Sequence, residues 1–340
     1  MRPILQQPII SAMKTILLQY DEFTAMLGAP MFKLSNQEGL TLQTGYLACL
    51  RSEYAVIKAS GGTVLEYLQG QITQDLHQLT EQQGIYSAIL TPQGKVICDL
   101  YIIAGHNREL IIIVRKGYAE TLVGRLRQFS LGHDLRIGIV DSLKLLSIQG
   151  SGCDAFLEVQ KLSKPEDSRL STVSEVDREL FIIRMPEAAD NGLWIVTGHA
   201  VSITPSTEES SIHAARIIKG VPAYGVDWNE KIFPLNANLI EFNGVNFEKG
   251  CYVGQEVTSR MQWRGGIKKR LYRVQLESLP VTLPSPLSTS VEVGSVTSGA
   301  INEDGEVFGI AHLPIELVES QTPLIDSEGD SVAVIEACHA

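Results

Sequence analysis

YAVIKASGGTVLEYLQGQITQDL (54–76) opens as an apolar strand, turns at Gly61-Gly62 and resumes with Val64, Leu65, Leu68, Ile72 and Leu76 near the helical period. The spacing predicts a helix reaching Leu76, with Thr63 and Glu66 set as a capping box. LKLLSIQGSGCDAFLEV (143–159) repeats this grammar of strand, glycine turn and helix. The repeat predicts two similar αβ units in series. Between the two starts, GIYSAILTPQGKVICDLYIIAG (84–105) reads as a hairpin joined at TPQGK. LIIIVRK (110–116) and DLRIGIV (134–140) read as strands. YAETLVGRLRQF (118–129) puts Tyr118, Leu122, Leu126 and Phe129 on one helical face. Further on, FIIRM and LWIVTG are strands, and STEESSIHAARIIKG opens acidic and turns helical.

After residue 269 the texture changes. RLYRVQLE, VEVGSVTSGA, EVFGIAHL and SVAVIEA are short strand patterns, and LPVTLPSPLSTS, with Pro280, Pro284 and Pro286, reads as loop. The expected class is α+β: an αβ unit over 1–140, a second over 141–235, a crossing segment over 236–269 and a small antiparallel β-barrel over 270–340.

Composition narrows the functions. The chain has 340 residues, is 44% hydrophobic and 20% charged, and carries a net charge of −11. It should repel nucleic acid and anionic membrane except at a local basic patch. The first twenty residues are mildly apolar but broken by Gln6, Gln7, Pro8, Ser11 and Lys14, which argues against a signal peptide or a span. Cys49, Cys98, Cys153, Cys251 and Cys338 form no CxxC pair, and the seven histidines are dispersed. The pattern predicts no protein-built metal site and a cytoplasmic, reducing compartment. Neither GxGxxG nor a P-loop is present.

EKGCYVGQE (248–256) sets one cysteine between two glycines. Gly250 and Gly254 suit a tight loop holding Cys251. A helix is expected from Gln255, with Glu256 and Arg260 paired four apart and Gly265-Gly266 as its end. A helix N-terminus and Lys249 nearby favour a thiolate; the bland alternative is a packing cysteine in a glycine turn. Downstream, Arg260, Arg264, Lys268, Lys269, Arg270 and Arg273 cluster without an acid, interleaved by Trp263 and Tyr272. Such a patch suits phosphates, an RNA backbone or a polycarboxylate tail, or is a face neutralised by acids elsewhere.

KGCYVGQE (249–256) resembles the signature of the YgfZ-type folate-binding proteins, relatives of the glycine-cleavage T-protein. The resemblance extends to VLEYLQGQITQDL, SAILTPQGKVICDL, LRQF, PLNANLIEFNGVNFEKGCY and GSVTSGA, leaving the first fifty and last thirty residues unmatched. It implies a ring of two ferredoxin-like αβ units and a β-barrel around a channel for tetrahydrofolate. It also implies support of iron–sulfur enzymes, including those that methylthiolate tRNA, or of their assembly factors. Lys249 and Cys251 carry over as the catalytic pair, with Gly250, Tyr252, Gly254, Gln255, Glu256 and Arg260 as the rest of the motif. Arg264, Lys268, Lys269 and Arg270 become candidates for a folate tail or tRNA. The chain departs from the aminomethyl-transferring branch: Cys98-Asp99 stand where that branch has two aspartates, and its folate-gripping glutamate is not evident in IIRMPEAADNG. Asp99 stays as a ligand-binding candidate. Aminomethyl transfer is the alternative function, and a non-enzymatic tRNA-binding module the second.

Overall fold

A computed structural model describes residues 31–175, 179–198 and 204–339. The reading of the first twenty residues lies outside these. Among the described residues, no helix is long and apolar enough to cross a membrane.

The described chain begins with β1 (Met31–Lys33), helix α1 (Asn36–Thr44) and β2 (Leu47–Leu50). Ser35 and Glu38 cap α1 reciprocally. The first unit is an antiparallel sheet of β3 (Tyr54–Ser60), β4 (Ile85–Leu90), β5 (Val96–Ala104), β6 (Leu110–Arg115) and β7 (Arg136–Ile139). Their order is β4-β5-β6-β3-β7. Helix α2 (Val64–Gln69) leaves β3, and helix α3 (Lys116–Gln128) leaves β6. Ala119, Leu122, Val123 and Leu126 of α3 are buried, the face expected of its spacing.

The second unit is built alike, from β8 (Lys144–Gln149), helix α4 (Cys153–Gln160), β9 (Thr172–Glu175), β10 (Leu180–Arg184) and β11 (Leu193–Thr197). Its order is β2-β8-β11-β10-β9. Helix α5 (Glu209–Lys219) follows, and helix α6 (Gln255–Arg260) comes after a long irregular crossing.

The last unit is β12 (Lys269–Leu276), β13 (Ser285–Ser288), β14 (Glu292–Ile301), β15 (Val307–Pro314), helix α7 (Ile315–Glu319), β16 (Leu324–Ile325) and β17 (Ser331–Ala337). The ring β14-β13-β16-β17-β12-β15 closes because β15 also pairs with β14. Closure removes the sheet edges. The result is the α+β architecture expected: two αβ units and an antiparallel barrel.

Four local expectations are corrected. Helix α2 stops at Gln69. Ile72 and Leu76 are buried from an irregular turn instead, where Ile72 bridges Ile89 of β4. Thr63 makes no side-chain cap; its hydroxyl accepts from the Asp134 amide at 2.8 Å. Ser285–Ser288, inside the proline-rich loop, is strand β13. Pro286 is tolerated there because β16 meets β13 only at Ser288, so that flank asks little of the missing N–H. Lastly, residues 31–33 and 47–50 do not join the sheet of the first unit: β1 adds to the barrel strand β14, and β2 pairs with β8.

Candidate functional site

A cavity of about 280 Å³ lies where the units meet. The first unit contributes Tyr54, Asp99 and Tyr101, and the second Arg169, Glu187 and Arg216. The crossing segment adds Tyr224 and Phe242, and the residues after β17 add His339. Asp99 reaches it because neighbouring strand residues face opposite ways. Cys98 accordingly points into the core and is fully buried. Burial pushes the Asp99 carboxyl from 3.8 up to about 6, while Arg115 and the Tyr86 hydroxyl hold it down. That hydroxyl donates to Asp99 at 3.0 Å. Arg169 lies over the rings of Tyr86 and Phe242, at 5.5 and 5.4 Å.

Behind the cavity runs a buried ion network. Arg51 donates to Glu187 at 2.5 Å and to Glu53 at 3.0 Å through Nε. Glu187 also accepts from Trp194 Nε1 at 2.7 Å. Arg216 donates through Nε to His213 Nδ1 at 2.9 Å and through Nη1 to Asp227 at 2.7 Å. His213 Nδ1 is therefore an acceptor, so its proton sits on Nε2 and is donated to Glu53 at 2.8 Å. Burial pulls the imidazole below its ordinary pKa, which suits that neutral tautomer. Arg216 Nη2 is buried and has no hydrogen-bond partner. An orphaned donor on a cavity-lining guanidinium is costly unless a ligand acceptor meets it.

Sequence reasoning missed most of this wall. It saw no counterpart of the folate-gripping glutamate in IIRMPEAADNG, and the structure places Glu187 of that turn at the cavity. Pro186 before it was the available signal, since it ends the strand and starts a new course. Arg216 and His213 lie on α5 among buried Ile212, Ala214, Ala215 and Ile217. Because α5 is buried at polar and apolar positions alike, its polar residues need partners.

The motif residues lie outside the cavity. Cys251 is exposed, whereas Cys49, Cys98, Cys153 and Cys338 are buried. Helix α6 has six residues and starts four positions after the thiol. Lys249 is only 8% exposed, and its ammonium donates to the carbonyls of Gln69, Ile72 and Gln74 at 2.7, 2.8 and 2.8 Å. All three N–H donors are thereby committed to main chain rather than to the thiol. Burial pulls Lys249 down to about 8, opposed by Asp75. The carbonyls oppose it too, because a neutral amine has only two N–H groups. Gly254 needs its glycine: its φ is +85°, and an added Cβ would lie 2.7 Å from the Thr91 carbonyl oxygen. Gly250 does not, since an added Cβ meets nothing within 4 Å. Tyr252 is buried, with the Lys249 ammonium 5.1 Å from its ring centroid. Gln255 and Glu256 open α6, and Glu256 pairs with Arg260 at 3.0 Å. Both are exposed, so the pair contributes a few tenths of a kcal/mol at about the usual helix-pair value.

The basic cluster is partly neutralised. Arg270 pairs with Glu241 at 2.8 Å and Arg273 with Glu336 at 3.3 Å. Lys269 donates to the Val293 carbonyl at 3.2 Å. Tyr272 is buried in the barrel, while Trp263 is 69% exposed. None of Arg264, Lys268, Lys269 and Arg270 lines the cavity, whose cations are Arg169, Arg216 and Lys219. Among the described residues no group of three His, Cys, Asp or Glu side chains is placed to hold a metal.

No family model matches the chain. It is 29% identical over 239 residues to the tRNA-modifying protein YgfZ of Hamiltonella defensa, covering 68% of this chain and 70% of that one. The YgfZ of Pectobacterium carotovorum matches at 24% over 299 residues, 84% of this chain and 88% of its own. The chain is similar to the YgfZ proteins over most of its length. The likeness extends to a mitochondrial iron–sulfur cluster assembly factor, the IBA57 homologue of Dictyostelium discoideum, at 25% over 266 residues, 70% of this chain and 64% of that one. Among solved structures, the glycine cleavage system aminomethyltransferase T of Bartonella henselae superposes with a TM-score of 0.76 over 90% of both chains at 18% identity. The chain's fold is thus that of the aminomethyltransferase T.

Proposed function

We propose that the protein binds a tetrahydrofolate in the junction cavity and supports iron–sulfur enzymes, among them those that modify tRNA, through Cys251. The observation that carries the reading is a junction cavity lined by Asp99, Glu187 and Arg216, whose Nη2 has no hydrogen-bond partner, in a chain whose one exposed thiol is Cys251. A pterin is flat and presents both donors and acceptors. Asp99 and Glu187 accept its N–H groups, Tyr101 and Phe242 supply apolar contact, and Arg216 Nη2 meets an acceptor. The anionic glutamate tail falls to Arg169 and Lys219, which line the same cavity. Folate, when bound, supplies a one-carbon carrier. The chain's own part is to hold it dry and oriented. The client side is read from the relatives: the YgfZ proteins are tRNA-modifying and the IBA57 homologue is an iron–sulfur assembly factor.

Aminomethyl transfer is the weaker reading, because the strand offers Asp99 alone and Cys98 is turned into the core. The deciding experiment measures tRNA methylthiolation in cells lacking the protein and resupplied with wild type or Cys251→Ala. Rescue by wild type alone supports the proposal. Equal rescue by both removes Cys251 from it. Isothermal titration with 5-formyltetrahydrofolate tests the cavity, and binding unchanged in Asp99→Ala would move the folate elsewhere.

A further inference from the structure

Gly250 and Cys251 form the crown of a short arch. One foot is Lys249, whose ammonium takes the three carbonyls of Gln69, Ile72 and Gln74. The other is Tyr252-Val253: Tyr252 is buried, and the Val253 amide donates to the Gly70 carbonyl at 3.1 Å. Both feet stand on one turn, residues 69–74. The approach to the arch is tied to the same turn. The Asn246 amide donates to the Thr73 carbonyl at 3.0 Å, the Thr73 hydroxyl donates to the Gly244 carbonyl at 2.6 Å, and Gln74 Nε2 donates to the Asn243 carbonyl at 2.6 Å. The turn in turn hangs on β4, since the Gln74 amide donates to the Ser87 hydroxyl at 2.9 Å. At the crown there is no such support: Cys251 is exposed and no atom stands within 4 Å of a Cβ at Gly250.

We propose that Lys249 is a positioning residue for Cys251, clamping the arch so that the thiol is presented at one place on the surface. It is not an acid, base or counter-ion of the thiol. An ammonium is the one side-chain group that offers three donors from a single atom, and three main-chain carbonyls converge on it. Arginine spreads its donors over a planar fork and covers the same three points poorly. The proposal rests on the reading that Cys251 is the working group.

The test compares amide exchange and methylthiolation rescue for wild type, Lys249→Met, Lys249→Gln and Lys249→Arg. In Lys249→Met the Val253 and Asn246 amides should exchange at least about tenfold faster, with β4 and β5 unchanged. Rescue should fall toward that of Cys251→Ala. Lys249→Gln, which keeps two N–H donors without the charge, should fall between and covers the case that the methionine variant does not fold. Lys249→Arg should restore part of both. Unchanged exchange at Val253 would overturn the clamp, and full rescue despite faster exchange would overturn positioning. Intact exchange together with slowed iodoacetamide capture of Cys251 would assign Lys249 to the thiol's chemistry instead. Because exchange needs no cellular activity, it decides the clamp even if Cys251→Ala proves fully active.

Discussion

Replacing Asp99 by Asn should change how stability depends on pH. The Asp99 carboxyl titrates at about 6 in the folded chain against 3.8 ordinarily, raised chiefly by burial. A raised folded-state value means that the folded form holds its proton more tightly than the unfolded one. The group therefore costs nothing below 3.8, costs progressively more as pH rises to about 6, and keeps a constant cost above that. Two units correspond to about 3 kcal/mol at neutral pH, of which roughly half has accrued by pH 5. Wild type should thus lose on the order of 1 kcal/mol between pH 5 and pH 7.5 that Asp99→Asn does not lose. Subtracting the two urea-unfolding curves at each pH, then the two differences, cancels pH-independent effects of the amide. Parallel pH dependence in the two proteins would refute the argument, because Asp99 would then be hydrated and not part of a closed cavity. A bound folate that donates to the carboxylate should also lower its pKa, so affinity should strengthen from pH 5 to 7.5 in wild type only.

Other outcomes follow from the same geometry. Cys251→Ser should leave the urea midpoint within about 0.5 kcal/mol of wild type, since the side chain is exposed; a larger loss would mean that the thiol packs. Gly254→Ala should cost about 2–4 kcal/mol from its φ of +85° and the clash with Thr91, whereas Gly250→Ala should cost under about 0.5 kcal/mol. Equal effects in thermal melts would show that the loop is shaped otherwise. Glu187→Gln should cost about 2–3 kcal/mol in urea unfolding, because Arg51 keeps Glu53 but loses its second carboxylate; a neutral result would place the network in water.

What the sequence discloses is what repeats or alternates. The strand–turn–helix starts at 54 and 143 and the hairpin at TPQGK were legible because burial of one face imposes a period. The loop glycine Gly254 was legible because a left-handed turn leaves a glycine behind, whereas the exposure of Cys251 was left open. The cavity wall was not legible. Asp99 was found only as half of a pair, and Glu187, Arg169 and Arg216 stand singly on elements far apart in the chain. Their meeting depends on how the units pack, which no local pattern encodes. Lys249 shows the converse limit: its place beside the cysteine was plain, but the turn 69–74 that receives its ammonium is distant in sequence, so its partner was misjudged. The partners of Arg270 and Arg273 in the basic run 260–273 were hidden for the same reason, since Glu241 and Glu336 come from other segments.

The first described residues touch every unit in turn. Met31 lies against Gly299 in the barrel, Leu47 against Gln149 in the second sheet and Tyr54 against Arg115 in the first. A ribosome delivers these partners in the opposite order: Arg115 first, Gln149 next and Gly299 last of the three. β1 therefore has to wait, unpaired, until residues 299–301 have emerged, whereas β3 and then β2 meet their partners earlier. Contacts so distant in sequence make for slow assembly. The barrel is thus joined to the αβ units by the strand that waits longest for its partner, and the junction cavity takes its final shape only after His339 has been made.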